Sequence, residues 1–261
     1  MNVIIINLTS AKDRLQFQQK QLRKLDLDFE LLEATSIEDI SNDTYKNHYF
    51  DWQRPLRKVE VACYYSHRSA WQKIIDNNEP ALILEDDALL SKYSSEILKS
   101  LEEFSGADFV QLEVRNRKKL ISKKHINITP IHRLYRLYLD RTGAAGYVLW
   151  PLGAKKLIDH ENKYGISLAD AHITACYNLI GYQVEPAIII QLDQCENYQI
   201  EPPINITSHI LNQPKPIYKN KLFFKFKRLS SQLRMATRQL RFLLQTNRRK
   251  IILIKRDFNV S

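Results

Sequence analysis

The sequence of 261 residues is poor in glycine and cysteine, with six of the first and three of the second. The glycines are too few and too scattered for a Gly-rich phosphate loop, so a phosphate-bearing ligand would be held by a metal ion, basic side chains or helix N-termini. Cys63, Cys176 and Cys195 are widely spaced, and their odd number argues against a disulfide framework or a cysteine metal cluster. We therefore expect a reducing compartment.

Other signals are missing as well. The sequence contains neither HExxH nor GxSxG. No apolar run approaches the roughly 20 residues of a membrane-spanning helix. The N-terminal residues enter an apolar strand pattern without a basic region or a small-residue cleavage site, so we expect no signal peptide. The 44% of hydrophobic residues is enough for one large α/β domain, alone or with an appendage.

Charge is unevenly distributed along the chain. Residues 215–261 hold 14 of the 39 Lys and Arg residues but one of the 29 Asp and Glu residues, which leaves residues 1–214 close to neutral. The segment Gln213-Pro214-Lys215-Pro216 predicts a boundary between a domain at 1–214 and a basic tail at 215–261. Apolar residues recur in the tail at helical spacing: Leu222, Phe226, Leu229, Leu233, Leu240 and Leu244. This pattern predicts a basic amphipathic helix that either binds an anionic membrane through residues 217–261 or packs against protein.

The segment Ala81–Asp87 reads ALILEDD, four apolar residues followed by three acids. The apolar part predicts a buried strand, and the acids fall at its carboxyl end, where open α/β sheets bind ligands. Adjacent carboxylates repel each other unless a cation lies between them. A hard divalent ion such as Mn²⁺ or Mg²⁺ meets this need, and the alternative is a solvated acidic turn.

The remaining periodicity alternates between strands and helices, which predicts a mostly parallel, three-layer α/β domain. We predict strands near residues 2–8, 29–34, 81–84, 108–112, 142–150 and 184–192. We predict helices near residues 9–24, 58–75, 94–104, 151–160 and 168–179. Residues 36–55 and the basic stretch 115–124 are predicted as loops.

Several polar or small residues allow two interpretations each. Arg14 and Lys12 lie one turn into the first helix and either hold phosphate or are solvated charges. His67, in an apolar helix, is a ligand, a substrate contact or a hydrogen-bonded core residue. The run 143–146, Gly-Ala-Ala-Gly, permits close approach of a ligand or tight packing of a neighbour. Asp170 is a helix-capping acid or a catalytic base.

Taken in order, these residues resemble glycosyltransferase family 25, of the lipooligosaccharide galactosyltransferase type. The matching segments are Ile6-Asn7-Leu8 with Arg14, Val59–Cys63 leading to Ser66-His67 and Trp71, Ala81–Asp87, Thr142–Trp150 with Ala154–Leu157, and Ala169-Asp170. The resemblance covers roughly residues 1–190. It implies a GT-A-like, Rossmann-like α/β/α nucleotide-sugar domain that uses a UDP-sugar donor and Mn²⁺ (or Mg²⁺). It also implies inverting transfer of a sugar, with galactose expected, to a lipooligosaccharide or lipopolysaccharide glycan, at the cytoplasmic face of the membrane.

The resemblance also assigns roles to individual positions. Asp87 would be the main metal ligand, and Asp86 and Glu85 would hold the metal or the ribose. His209 is the third metal ligand that we predict, with His172 as the other candidate. Asn7 and Arg14 would lie near the nucleotide, Ser66 and His67 would line the donor site, and Gly143, Ala144, Ala145 and Gly146 would approach the sugar. Asp170 would be the base. Tyr64-Tyr65 stands where the resemblance predicts smaller residues.

Two other functions compete with this one. The basic tail could bind nucleic acid, but the acidic strand end and the lack of a recognised nucleic-acid motif argue against it, so we expect no nucleic-acid partner. The chain could also be a non-catalytic scaffold that keeps the acidic residues without using a metal.

Overall fold

The computed structural model describes residues 1–140, 143–204 and 221–258. The predicted boundary at residues 214 and 215 and the candidate ligand His209 lie outside these residues. The strands are β1 (Asn2–Asn7), β2 (Phe29–Glu33), β3 (Ala81–Glu85), β4 (Ala88–Leu90), β5 (Phe109–Gln111), β6 (Lys119–Asn127), β7 (Arg133–Leu139), β8 (Gly146–Leu149), β9 (Gly181–Glu185), β10 (Ile189–Gln191) and β11 (Thr246–Arg249). The helices are α1 (Lys12–Lys24), α2 (Asn42–His48), α3 (Lys58–Asn77), α4 (Ser94–Glu102), α5 (Pro151–Tyr164), α6 (Ala169–Ala175) and α7 (Lys221–Arg241).

A large mixed sheet forms the centre of the molecule. In the described part of the chain its nine strands run in the order β11-β6-β7-β9-β5-β8-β3-β1-β2. Strand β1 is parallel to β2 and β3, and β5 is parallel to β9, whereas the other pairings are antiparallel. The prediction of a mostly parallel sheet was therefore wrong. Strand β8 falls within the strand predicted at 142–150, but the alternation of strands and helices does not reveal that it inserts antiparallel between β3 and β5.

The direction of the strands places their ends at a common edge. Because β8 is antiparallel to both β3 and β5, these two strands run the same way. Strands β1, β2, β3, β5 and β9 consequently end at the same edge of the sheet. The start of the antiparallel β8 meets them there. Polar residues from distant parts of the sequence are thus brought together at one edge, as expected for a ligand site in an α/β sheet.

Helices cover the central part of the sheet on both faces, which gives the three layers that were predicted. Strand residues alternate between two apolar clusters, as the two-residue period of a strand requires. On one face Ile5 packs in a cluster with Leu22 of α1 and Leu98 of α4. On the other face Ile4 belongs to a cluster with Trp71 of α3 and residues of α5 and α6. Both faces of the central strands are buried, which explains their continuous apolar sequence.

Three local predictions differ from the structure. The predicted loop at 36–55 contains helix α2, and the basic stretch 115–124 runs into strand β6. The second half of β6 is exposed and rich in lysine, so its sequence does not show the alternation that identifies a half-buried strand. The predicted strand at 184–192 is two strands, β9 and β10, separated around Pro186. Proline has no backbone N–H to donate to a strand ladder.

The C-terminal residues return to the sheet after helix α7. Strand β11 pairs with β6 in antiparallel register, with Thr246 opposite Ser122. Ile251 and Phe258 are buried, so the segment after the helix contributes to the core. In the described ranges, no helix combines the length and the apolar character needed to cross a bilayer.

Candidate active site

The three acids at the end of β3, with Glu85 as its last residue, lie at this common edge of the sheet. Strand β3 lies between β1 and β8, with Glu85 opposite Ile6 of β1, and the Glu85 N–H donates to the carbonyl of Ala145 (2.9 Å). The three carboxyl groups have different partners. These partners determine which of the three oxygen donors can hold a cation or a polar ligand.

Asp86 is buried and is held by two side chains from the first strand and helix. The Asn7 amide donates to Oδ2 at 2.9 Å, and the Arg14 guanidinium donates to Oδ1 at 2.9 Å. Burial raises the pKa of Asp86, and Arg14 and Asn7 oppose this rise. The structure therefore brings Asn7 and Arg14 to Asp86, which lies more than seventy positions from either in sequence. Within the described part of the chain, Lys12, at the first position of α1, makes no hydrogen bond or ion pair with this group.

Asp87 has fewer favourable contacts. The Gln191 amide, at the end of β10, donates to both of its carboxyl oxygens at 3.2 Å. The same amide lies 3.1 Å from Oε2 of Glu85. Burial and the neighbouring charges of Glu85 and Asp86 raise the pKa of Asp87 to about 8. A carboxyl group in this environment is stabilised by a cation, because a positive charge relieves both the desolvation and the repulsion.

Glu85 connects the acidic edge to the core through a chain of hydrogen bonds. His67 is 1% exposed; its Nε2 lies 3.0 Å from Glu85 Oε1, and its Nδ1 lies 3.0 Å from the Tyr147 hydroxyl. Trp71 Nε1 donates to the same hydroxyl at 2.8 Å. All four groups are satisfied when Tyr147 donates to Nδ1 and His67 donates from Nε2 to Glu85. His67 therefore orients Glu85, whereas Ser66 bonds backbone groups of Thr35 and Ala62.

A second set of potential ligands adjoins the acids. The side-chain donor atoms of Cys63, His67 and Glu85 lie within 4.8 Å of one another. Burial, together with the charges of Glu85 and Asp170, raises the pKa of the Cys63 thiol well above its usual range. Cys63 is thus a neutral thiol beside the acidic edge. The carboxylates of Asp86 and Asp87 form the harder, oxygen-only set, which suits Mn²⁺ or Mg²⁺.

The small-residue run before β8 packs tightly against protein side chains. A Cβ atom at Gly143, where φ is 105°, would fall 1.6 Å from Oε1 of Glu113. A Cβ atom at Gly146 would fall 2.4 Å from the Ile189 side chain. Ala144 and Ala145 are buried. Both glycines are therefore explained by packing, and this packing fixes the backbone that receives Glu85.

Glu113 was not identified from the sequence, yet it organises this run. Its Oε2 accepts from the Ala145 N–H at 2.7 Å, and the neighbouring Gln111 amide donates to the Gly143 carbonyl at 2.9 Å. Glu113 is fully buried, and burial raises its pKa to about 8. Gln111 and Glu113 are polar residues at the end of a buried strand, at the same edge as the acids, and this pattern is the sequence signal that could have revealed Glu113.

The sequence analysis did not identify Gln191 either. The positively charged Arg115 side chain lies next to it. The Arg115 guanidinium donates to the Gln191 side-chain oxygen and to Asp193 Oδ2, the latter at 2.9 Å. This contact holds the Gln191 amide with its N–H groups toward Glu85 and Asp87. The signal in the sequence is a glutamine at the end of a buried strand, which cannot be distinguished from a solvated strand end without the fold.

Asp170 lies in the first turn of α6, close to the acidic edge. It accepts a hydrogen bond from the Ala171 N–H at 2.7 Å. Burial raises its pKa and the charge of Glu85 adds to the rise, whereas the backbone N–H of Gly143 opposes it. Asp170 therefore lies within the electrostatic influence of Glu85 and next to the Gly143 N–H, although the three residues are far apart in sequence.

The other candidate histidine that the structure describes, His172, does not join this group. His172 is buried, stacks on Trp71 with ring centroids 5.5 Å apart, and its Nε2 lies 3.0 Å from the Leu157 carbonyl. Burial lowers the pKa of His172 to about 4. It is a hydrogen-bonded core histidine, and no contact places it at the acids. His209 lies outside the described residues.

A cavity of about 540 Å³ lies beside Asp170, between α7 and the residues around α6. Ser167 and Ala171, on either side of Asp170 in the chain, line it, together with Phe226 and Arg234 of α7. The acids of β3 do not line this cavity. Asp170 does not line the cavity itself, but its chain neighbour Ala171 does.

The fold and the site together define an α/β protein with an oxygen-rich polar site at the carboxyl edge of its sheet. Residues 1–173 match the model of glycosyltransferase family 25, described as an LPS biosynthesis protein. The chain belongs to this family, and the resemblance inferred from its motifs is confirmed.

Characterised and inferred relatives span bacteria and animals. The chain is 29% identical over 205 residues to the lipooligosaccharide biosynthesis protein lic2B of Haemophilus influenzae, covering 73% of this chain and 76% of that protein. It is 26% identical to a putative glycosyltransferase of the same species, over 59% of this chain and 56% of that one. It is 25% identical to procollagen galactosyltransferase 1-B of Xenopus laevis, over 72% of this chain and 35% of that protein. The chain thus spans about a third of this longer relative.

A solved structure, the inositol-1-phosphate CTP transferase from T. maritima, gives a TM-score of 0.39 at 13% identity. The match covers 70% of this chain and 84% of that one. This score is too low to establish a shared fold.

Proposed function

We propose that the protein is an inverting, metal-dependent glycosyltransferase. It would transfer a sugar, with galactose as the expected one, from a UDP-sugar to a lipooligosaccharide or lipopolysaccharide glycan. Family membership and the names of the bacterial relatives support the reaction class and the type of acceptor. The observation that carries the proposal further is the cluster of carboxyl groups of Glu85, Asp86 and Asp87, of which Asp86 is buried and the other two are partly exposed, at the edge where α/β sheets bind ligands.

The donor set fits a divalent cation. Asp87 has a raised pKa, and the charges that raise it come from two further carboxyl groups within the same turn. Asp87 and Asp86 would hold the ion, and Mn²⁺ or Mg²⁺ would stabilise the negative charge that develops on the departing diphosphate. Arg14 and Asn7 fix the orientation of Asp86, and His67 fixes that of Glu85.

Glu85 and Asp86 would also contact the ribose or the metal, and the family resemblance supports this division of roles. The packed run 143–146 supports the Glu85 backbone from the side of β8. Its glycines meet Glu113 and Ile189, so we propose that this run shapes the donor site through its backbone position.

Asp170 is the base in this proposal. Inversion requires one base, which removes the proton of the attacking acceptor hydroxyl on the side opposite the leaving group. The charge of Glu85 acts on Asp170, and its chain neighbour Ala171 lines the 540 Å³ cavity. The cavity is therefore the proposed acceptor side. The raised pKa of Asp170 makes it a stronger base than an ordinary aspartate once it is ionised.

The test is UDP release from a panel of UDP-sugars, measured with Mn²⁺ and with EDTA. We expect release from one sugar, abolished by EDTA, and no release from the Asp87→Asn variant. The variant Asp43→Asn, at a well-exposed acid of α2, is the matched control and should be unchanged. Release that is equal in EDTA would contradict the metal assignment. If neither UDP nor Mn²⁺ binds, the chain is a scaffold that keeps the acids without catalysis.

A further inference from the structure

Helix α7 contacts the rest of the protein through one side. Phe224 is 2% exposed and stacks on Phe50 with ring centroids 5.9 Å apart. Lys227 Nζ donates to the carbonyls of Phe50 and Asp51 at 2.6 and 2.8 Å. Further along the helix, Arg238 Nε donates to a carbonyl of β7 at 2.6 Å. With the half-buried Ser231 and Met235, these inward positions recur at steps of three and four residues, so they form one face of the helix.

The apolar stripe of the helix lies on the opposite side. At about 100° per residue, the mean direction of the stripe is roughly 170° from that of the inward positions. The six stripe side chains are 61% to 85% exposed: Leu222, Phe226, Leu229, Leu233, Leu240 and Leu244. A surface helix ordinarily buries such a stripe against its own domain. Here long cationic side chains hold the helix on the protein, and the leucines face away from it.

Charges flank the stripe on both sides. Lys225 and Arg228 lie along one flank, and Arg234 and Arg241 lie along the other, and all four residues are exposed. The helix sequence contains no Asp or Glu. A second copy of α7 laid on this stripe would therefore bring cations against cations without an acid to pair them. A partner that is apolar at its centre and negative at its border has the complementary chemistry.

We propose that α7 lies in the interface of an anionic lipid bilayer, with the leucine stripe in the acyl region and the flanking cations at the headgroups. Exposed apolar stripes with cationic borders are the signature of interfacial helices. Each cation near an anionic surface contributes about 1 kcal/mol, so four cations and six apolar side chains give firm attachment. The protein would then be peripheral on the inner face of the cytoplasmic membrane.

The position of the helix has a consequence for the acceptor, which rests on the proposed function. Phe226 belongs to the stripe and also lines the cavity beside Asp170. Arg234, on a flank of the stripe, lines the same cavity. A glycolipid held in the bilayer could therefore present its glycan to Asp170 from directly under α7.

Vesicle binding tests the proposal without any activity measurement. The full-length protein is sedimented with vesicles of phosphatidylcholine alone and of phosphatidylcholine with phosphatidylglycerol. The stripe variant combines Leu229→Gln, Leu233→Gln and Leu240→Gln, and the charge variant combines Lys225→Gln, Arg228→Gln and Arg241→Gln. The control combines Gln232→Ala and Gln245→Ala, at exposed polar positions. Thermal unfolding checks that each variant is folded.

We expect binding to the anionic vesicles, about fivefold weaker for each cation removed and at least about tenfold weaker for the stripe variant, with the control unchanged. No binding of the wild-type protein would overturn the proposal, as would a stripe variant that binds as tightly as wild type. Concentration-dependent dimerisation that the stripe variant abolishes, without vesicle binding, would assign the stripe to a second copy. Absence of vesicle binding with retained UDP binding would overturn the membrane proposal and leave the proposed reaction standing. Vesicle binding without UDP binding would count against the proposed reaction and leave the membrane proposal standing.

Discussion

The acidic edge of the sheet and the outer face of α7 depart in opposite ways from the usual distribution of side chains. At the edge, three carboxyl groups lie close together and largely buried, and burial with mutual repulsion raises the pKa of Asp87 to about 8. On α7 and the turn that follows it, six large apolar side chains are exposed, five on the helix and Leu244 on the turn. Buried like charges and exposed apolar stripes both cost free energy in the isolated chain. Each arrangement is therefore best explained by something that binds there, a cation in one case and a lipid surface in the other.

The support around the two regions differs as well. The acids are oriented by side chains from several elements, among them Asn7, Arg14, His67 and Gln191. Among the residues that the structure describes, the stripe has no such support, and the hydrogen bonds that hold the helix on the domain come from its other side. Groups that must meet a small ligand in a defined geometry require positioning, whereas a fluid lipid interface requires only the right side chains on one face.

We expect the largest effect on activity from Asp87→Asn, at the acidic edge. We expect turnover to fall about 1,000-fold, because an amide cannot neutralise a divalent cation as a carboxylate does. We expect the free energy of unfolding to stay equal or to rise, because the substitution removes repulsion from a buried group. Steady-state UDP release and urea unfolding measure the two quantities. A variant that is active but unstable would make Asp87 a structural residue.

The inner and outer faces of α7 should respond very differently to truncation. Phe224→Ala, at a buried and stacked side chain, should lower the free energy of unfolding by about 3 kcal/mol. Leu233→Ala, at a side chain 63% exposed, should change it by less than about 0.5 kcal/mol. Urea unfolding of both variants gives the difference directly. Equal destabilisation would show that the stripe packs against protein.

Tyr147→Phe breaks the chain that orients Glu85. Removing the hydroxyl leaves Trp71 Nε1 and His67 Nδ1 without a buried partner, which should cost about 2 kcal/mol of stability. We also expect roughly tenfold weaker Mn²⁺-dependent UDP binding, because His67 no longer fixes Glu85. Calorimetry and urea unfolding report the two effects. Unchanged UDP binding in a destabilised variant would limit this chain to a structural role.

The smallest predicted effect is the pH dependence of stability that the core histidine His172 causes. Burial lowers the pKa of His172 from 6.5 to about 4, so between these values the unfolded chain binds a proton that the folded chain does not. Stability should therefore decrease as the pH falls below 6.5, by about 1.4 kcal/mol per pH unit at most from this residue. Urea unfolding at pH 7 and pH 5.5 measures the slope. If His172→Gln leaves the slope unchanged, other groups cause it.

The sequence predicted some features well because their signals are local. Strands β1 and β3, the acids after β3, and helix α7 each follow from a contiguous pattern of apolar and charged residues. The layers on both faces of the sheet follow from the alternation of strands and helices. Motifs at Ile6–Leu8, Ser66-His67 and Ala81–Asp87 were enough to indicate the family, which the family match confirms.

Other features depend on contacts between distant residues. Gln191 and Glu113 reach the site because β10 and β5 end near it, and a polar residue at a strand end does not by itself indicate which other strand ends it will meet. The antiparallel insertion of β8 follows from strand pairing and was not visible in the order of elements. The outward direction of the α7 stripe arises because Lys227 and Arg238 find carbonyl acceptors on the domain.

Calorimetric titration of UDP into the protein, with Mn²⁺ and with EDTA, tests the central claim most directly. The account predicts saturable binding of one UDP in Mn²⁺, and loss of binding both in EDTA and in Asp87→Asn. Binding of equal affinity in EDTA would contradict the claim that the buried carboxylates of the acidic edge hold a divalent cation for the nucleotide.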